Sequence, residues 1–312
     1  KIMPLKIFND NNVSVNSYEA IVYAAEHGCT VANCSWGSKF TYSQFAQDVI
    51  TYATINKNML VVAAAGNDGN QGLFYPASYE YVISVGASNQ KDCKWEYSNY
   101  GPFVDIFAPG QDIMNTWANG TYYSVIGGTS FAAPIISGCA ALLKSYRPDL
   151  TALQIGEQLK VTSDKIDTLD CNYSYKNFMG AGRVNMFKAM TDFSKPSIVF
   201  SERYYTDNND DVFISGDTID IYGIFINYLS TATNVVAEMT SLSKHCIVLN
   251  SKVNLGYMNT LTTKNNINNP FKVYIKDTYK NEEILLKITY TDEQTGYVAN
   301  QYIKFTVNPD FL

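Results

Sequence analysis

Histidine is nearly missing from this sequence. His27 and His245 are the two in 312 residues, so any imidazole chemistry has few donors to draw on. No apolar run approaches the ~20 residues of a membrane-spanning helix, which argues against a membrane partner. A basic excess is missing as well. The formal net charge is −6, with 13 basic against 16 acidic groups in residues 1–193 and 10 against 13 in residues 194–312. Neither part is a basic arm, which argues against nucleic acid as a partner. Six cysteines are too few to scaffold a chain of this length. Cys34 and Cys139 lie in apolar strand and helix patterns and read as buried thiols. Cys29, Cys93, Cys171 and Cys246 are left to pair, in combinations that spacing does not settle. No signal-peptide pattern opens the chain, and it starts at Lys1 without Met, which points to processing or trimming.

What is present is a globular composition, 46% apolar and 17% charged, in a length that suits one large domain or two ordinary ones. The most informative stretch is Gly127-Gly128-Thr129-Ser130-Phe131-Ala132-Ala133-Pro134, running into the apolar segment Ile135 to Leu143. It reads as a glycine turn that delivers Ser130 to the first turn of a buried helix, with Pro134 in that same turn. A hydroxyl there lies beside unpaired amides and the positive end of a helix dipole, which suits a developing oxyanion. Locally, a glycine-capped helix with serine as its cap fits equally well.

Before that stretch, Lys1–Phe8 reads as a short buried strand. A helix follows from Ser17 to His27, capped by Asn16 or Ser17 and stopped by Gly28. His27 ends that helix, where a cation suits the dipole, and is not expected to be a base. Val31–Ser35 has no polar face and reads as a strand covered on both sides. Thr41-x-x-Gln44 forms a capping box for a helix to about Asn56, and Met59–Ala65 is the next buried strand. Thr151–Val161 fits an amphipathic helix. This alternation predicts an α/β fold with a doubly wound, mostly parallel sheet. Functional groups then belong at the carboxyl ends of strands, where Ser35, Asn67 and the turn before Ser130 fall.

Composition shifts at Ser194-Lys195-Pro196, setting domains at 1–193 and 194–312. Runs such as Thr218–Ile226, Ala232–Met239, Phe271–Ile275, Ile284–Thr291 and Tyr302–Val307 predict a second, all-β sandwich domain of about seven strands, Ig-like in class. No catalytic cluster is visible there, and His245 reads as a packed or surface residue. The run Thr206–Asp211 has oxygen ligands for a structural calcium, although an Asx-rich turn is the commoner form. No other metal or cofactor is expected.

Gly-Thr-Ser-x-Ala-x-Pro followed by a small-residue helix resembles the nucleophile motif of the subtilisin-like serine proteases. Val31–Gly37, Val61–Asn67, Tyr75-Pro76-Ala77, Val82–Ala87, Ser98–Gly101, Val104–Gly110 and Gly180–Asn185 resemble further blocks of that family, in its order. The resemblance covers about residues 1–193. It implies a serine endopeptidase with Ser130 as nucleophile, and with the Asn67 amide and the Ser130 N–H as oxyanion donors. It also implies that Ser35, Trp36, Gly37, Ala65, Gly66, Gly128 and Thr129 present backbone to an extended peptide or protein substrate. The family's Asp-x-Gly and His-Gly-Thr-His motifs are not in this chain, and its aspartate strand lies between the strands that Lys1–Phe8 and Val31–Ser35 resemble. A missing central strand leaves buried donors and acceptors unpaired at ~1–3 kcal/mol each. The expectation is therefore an N-terminal protease fragment, cut from the same precursor, that supplies strand, Asp and His. The family is mostly secreted, so a secreted or cell-surface location is expected. A non-catalytic binding protein on the same scaffold is the alternative, and a binding module in residues 194–312 is a third reading.

Overall fold

An apolar run with no polar alternate has to be covered on both faces, and Met59–Ala65 is buried throughout. The computed structural model describes the chain except residues 12, 40–41, 117–121, 124–126, 278–280 and 309–312. In chain order, helix α1 (Ser17–Glu26) leads to strand β1 (Val31–Cys34), helix α2 (Gln44–Thr51), β2 (Leu60–Ala64), β3 (Val82–Ser88) and β4 (Ile106–Pro109). These four strands form one parallel sheet in the order β1-β2-β3-β4. A short antiparallel pair, β5 (Asn115–Thr116) and β6 (Tyr122–Tyr123), precedes helices α3 (Thr129–Tyr146), α4 (Ala152–Val161) and α5 (Met186–Thr191). Successive strand residues face opposite ways. Val61 and Ala63 pack with Ile21, Ala25, Ile50 and Ala53 of the α1 and α2 region. On the other side, Gly156 of α4 lies against the Leu60 and Ile83 side chains. Helices thus cover both faces, an α/β fold.

Three expectations are corrected at the start of the chain. Lys1–Phe8 is not a buried strand. It is mostly exposed and makes one isolated bridge, Phe8 to Ser14. Alternation alone does not make a strand; a neighbour must take its hydrogen bonds. β1 is consequently the sheet edge, only Cys34 of it being fully buried. Thr41 of the expected capping box lies outside the described residues. α2 opens instead at Gln44, with the Ser43 hydroxyl accepting the Ala46 N–H at 3.4 Å. A complete capping box stands two helices on, where Thr151 and Gln154 cap α4 reciprocally.

Beside β4, where it bridges Phe107, the segment around Arg183 is tied by charge. Arg183 pairs with Asp92 at 2.7 Å and with Asp164 at 2.6 Å, and Lys188 meets Asp164 at 2.6 Å. These partners, Lys188 foremost, hold the Asp164 carboxyl down to about 2. The unfolded carboxyl binds its proton near pH 4. The stability gained is therefore complete above about pH 4 and lost as pH falls toward 2. Acid denaturation of the Asp164→Asn variant should lack this component, so its stability should change less between pH 4 and pH 2 than that of the parent. Equal slopes would mean the network contributes nothing.

Cys93 and Cys171 form a disulfide; Cys34 and Cys246 are buried thiols. Cys139 is only half-buried, because it lies on the face of α3 that also exposes Gly138 and Leu142.

The chain divides into two units, Lys1–Asp192 and Phe193–Leu312. In the second, nine strands rather than about seven are found among the described residues. They are β7 (Ile198–Thr206), β8 (Thr218–Asn227), β9 (Ala232–Ser241), β10 (Cys246–Asn250), β11 (Lys252–Met258), β12 (Thr263–Asn265), β13 (Phe271–Ile275), β14 (Glu282–Asp292) and β15 (Tyr297–Val307). They make two antiparallel sheets. One holds β10-β13-β8-β12 with β7 also on β8, and the other runs β11-β9-β14-β15. Inward side chains of both meet in one core, Phe200, Ile219 and Phe271 with Val235, Ala237 and Ile288. In the Thr206–Asp211 turn, Asp207 Oδ1 accepts the N–H groups of Asn209 and Asp211. No cluster of three metal-ligating His, Cys, Asp or Glu side chains occurs among the described residues. No described helix is long and apolar enough to cross a membrane.

Candidate active site

Ser130 is the second residue of α3, and Gly128 stands at the N-cap. α3 buries one face, through Thr129, Ala132, Ala133, Ile136, Ala140 and Leu143, rather than its whole surface. Pro134 is also not in the first turn. It lies inside the helix, five residues past Thr129. An interior proline cannot donate to the carbonyl four residues back, which here is that of Ser130. The Ser35 hydroxyl donates to that carbonyl instead, at 2.8 Å. In return, Ser130 Oγ donates to the Ser35 carbonyl at 3.1 Å. Asn33 Nδ2 donates to Ser35 Oγ at 2.9 Å, and Ser137 Oγ donates to Asn33 Oδ1 at 3.1 Å. The end of β1 and the start of α3 are thus bonded in both directions.

The end of β2 approaches from the other side. Asn67 Oδ1 accepts both the N–H and the hydroxyl of Thr129, each at 2.9 Å. Thr129 Oγ1 in turn accepts the Gly66 N–H at 3.1 Å. Two donors on Oδ1 fix the orientation of the amide and leave its Nδ2 hydrogens to donate elsewhere. The Ser130 N–H belongs to a first turn whose amides have no helical acceptor. Ser130, Asn67, Ser35, Gly66, Gly128 and Thr129 are therefore together. Ala65 is buried, its carbonyl accepting Asn99 Nδ2 at 2.9 Å. Gly37 lies against Phe74. Trp36 joins the site through its backbone alone. Its ring stands edge-on to Tyr18, 5.6 Å away, against the α1 core.

Two supporting residues escaped the sequence reading. Asn99 is buried, and its Oδ1 accepts the N–H groups of Asp68 at 2.9 Å and Asn70 at 3.4 Å, so it shapes the loop that carries Asn67. Lys94 is 7% exposed, and its ammonium donates to the carbonyls of Trp95, Glu96 and Ser98 at 2.8–3.0 Å. Burial pulls it down to about 8. Lys94 was not singled out in the sequence. The only signal was its place just before Ser98-Asn99.

Neither histidine is bonded to Ser130. His27 caps the C-terminus of α1, exposed, its ring stacked 3.8 Å from Tyr23. His245 is half-buried in the second unit, its Nδ1 3.1 Å from the Asp277 carbonyl oxygen.

A serine at a helix N-terminus, beside an asparagine at a parallel strand end, agrees with the family comparison. The subtilase family (peptidase S8) model matches residues 1–182, and the chain belongs to that family. It is 41% identical over 173 residues to the thermophilic serine proteinase of Bacillus sp. strain AK1, covering 55% of this chain and 40% of that protein. It is 33% identical over 305 residues to the cell wall-associated protease of Bacillus subtilis strain 168, covering 95% of this chain and 32% of that protein. Among solved structures, the patellamide maturation protease PatA superposes with a TM-score of 0.54 at 29% identity, covering 59% of this chain and 71% of that one. The chain spans less than half the length of these two curated relatives.

Proposed function

We propose that this chain carries the nucleophile and the oxyanion donors of a serine endopeptidase. Ser130 attacks the peptide carbonyl, and the oxygen that becomes negative is met by Asn67 Nδ2 and the Ser130 N–H, at the positive end of α3. The observation that carries this reading is the Thr129–Asn67 pairing, which occupies the amide oxygen and leaves Nδ2 as the group able to donate. Substrate binds in extended form along Ser35–Gly37; the expected share of Ala65 and Gly66 in this pairing is not kept, because their backbone groups are already bonded to Val85, Asn99 and Thr129. A serine hydroxyl needs a base to become a nucleophile. The imidazole and its carboxylate come from an N-terminal fragment outside these 312 residues, docked as a strand on β1. The half-exposed β1 edge supports this docking, as does a Lys1–Phe8 segment lying outside the sheet. The disulfide and the likeness to a cell wall-associated protease support a location outside the cell or on its surface.

The test is an active-site probe. A fluorophosphonate should add its mass to the peptide containing Ser130 when the N-terminal fragment is present, and fail to do so once that fragment is stripped away. No adduct on Ser130 with the fragment present would favour a binding protein built on the same frame.

A further inference from the structure

The outer face of a sandwich sheet is expected to carry polar side chains. On β8 that holds at Asp220, which pairs with Lys272 of β13 at 3.1 Å. It fails further along, where Tyr222 and Ile224 are half-buried beside an exposed Tyr204 of β7 and an exposed Ile267 just past β12. Tyr204 is outside because β7 is not regular. Phe200 faces the core, and in an unbroken strand Tyr204, four residues on, would face it too. Instead Ser201 pairs with Ile224 and Tyr204 with Tyr222, so Glu202 and Arg203 together oppose Gly223. The extra residue reverses the alternation. Tyr205 then packs on the core, and Tyr204 stacks on Tyr222, ring centroids 4.7 Å apart and planes 9° from parallel. Glu202 takes the strain, at φ +47°. Arg203 Nη1 holds the bulge by donating to the Phe200 carbonyl at 2.7 Å.

On the other edge of β8, the buried Asn266 ties down the end of β12. Its Oδ1 accepts the Gly223 N–H and its Nδ2 donates to the Ile221 carbonyl, both at 2.9 Å. The two rings, Glu202, Asn265 and Ile267 thereby border one cavity of about 290 Å³. Asn265 Oδ1 accepts the Ile267 N–H at 3.2 Å, which leaves its Nδ2 to donate. Glu202 is exposed, and its carboxylate can accept from two hydroxyls. No Lys, Arg or His is among the described residues that border the cavity. Aromatic surface with a few fixed polar groups is the make-up of a small-ligand site. We propose that this cavity binds a pyranose sugar. The apolar C–H face of the ring packs on the tyrosine pair. Its hydroxyls, which both donate and accept, give to Glu202 and take from Asn265. An anion would meet the Glu202 carboxylate, and a purely apolar ligand would strip water from both polar groups without replacing it. The site lies wholly within the second unit and does not depend on the endopeptidase reading.

The experiment is calorimetric titration of the full chain with cellotriose and with chitotriose, the β-linked trimers of glucose and of N-acetylglucosamine. Sorbitol, which has the hydroxyls without the ring, is the control. At least one trimer should bind saturably, and sorbitol should not. Tyr204→Ala should weaken binding by about tenfold, the upper end of what an aromatic pair adds beyond its area. Glu202→Gly should also weaken it about tenfold, the worth of a hydrogen bond to a charged group. That variant relieves the positive φ, so it should melt no lower than the parent; a merely structural role for Glu202 would leave binding untouched. Should Tyr204→Ala fail to fold, Glu202→Gly and Asn265→Ala still decide. No saturable binding of either trimer overturns the proposal, as does equal binding of sorbitol. An affinity that folded Tyr204→Ala and Glu202→Gly leave unchanged overturns it as well.

Discussion

Ser130→Ala is expected to abolish peptide hydrolysis while leaving the fold intact. The scale is about 10⁶ in kcat, a figure set by subtilisin itself, a member of the same family. The hydroxyl's sole protein acceptor among the described residues is the Ser35 carbonyl, a half-buried bond whose loss should cost about 1 kcal/mol or less. Asn67→Asp separates the two jobs of that amide. An aspartate keeps an acceptor for the Thr129 N–H and hydroxyl, and its charge suits the helix N-terminus. It loses the donor, which in subtilisin costs on the order of 10²–10³ in rate. Rate loss at an unchanged melting point would assign Asn67 to transition-state stabilisation. A lower melting point at unchanged kcat would make it a structural tie only, and would count against the oxyanion assignment.

Breaking the Cys93–Cys171 bond is expected to cost the first unit about 4.5 kcal/mol. The bond closes a sequence separation of 78 residues, and the loop-entropy relation gives that figure for a loop of this length. For a unit of nearly two hundred residues the melting point should fall on the order of 10 °C. The bond is not alone. Asn172 beside it accepts the Lys94 N–H at 2.8 Å and donates to the carbonyls of Asp92 and Ile166 at 2.8 Å. These contacts should keep the reduced protein folded at room temperature. Lys94 and Asn99 connect this region to the loop carrying Asn67, so proteolysis of that loop should accelerate on reduction as well. A Cys93→Ser/Cys171→Ser variant that melts with the parent would show that the unfolded chain gains nothing from the broken link.

Much of the first unit was legible because its signals are local. Continuous apolar strands, a glycine after α1 and the amphipathic pattern of Thr151–Val161 each act within a few residues. What failed depended on partners far along the chain. Lys1–Phe8 has the pattern of a strand, but pairing requires a neighbour that the pattern does not contain. Spacing could not choose among four cysteines because the pair that forms is brought together by the loop after β3 and the turn at Asp170–Tyr175. Lys94 was passed over because its three carbonyl partners exist only once the loop has closed. In the second unit β7 went unread because its alternation breaks between Ser201 and Tyr204, where the pairing with β8 slips. Ser130, Asn67 and Ser35 were found together because strand ends converge wherever parallel strands run side by side.

The proline in α3 has a mechanical consequence. By withholding one donor it hands the Ser130 carbonyl to a hydroxyl on the neighbouring strand, and the serine's own hydroxyl is spent on the same neighbour. The opening turn of the helix is therefore bolted sideways to the strand as well as lengthwise to its own coil. A displacement of the strand end therefore reaches the Ser130 hydroxyl through two short links, so that oxygen moves with the strand as well as with its helix.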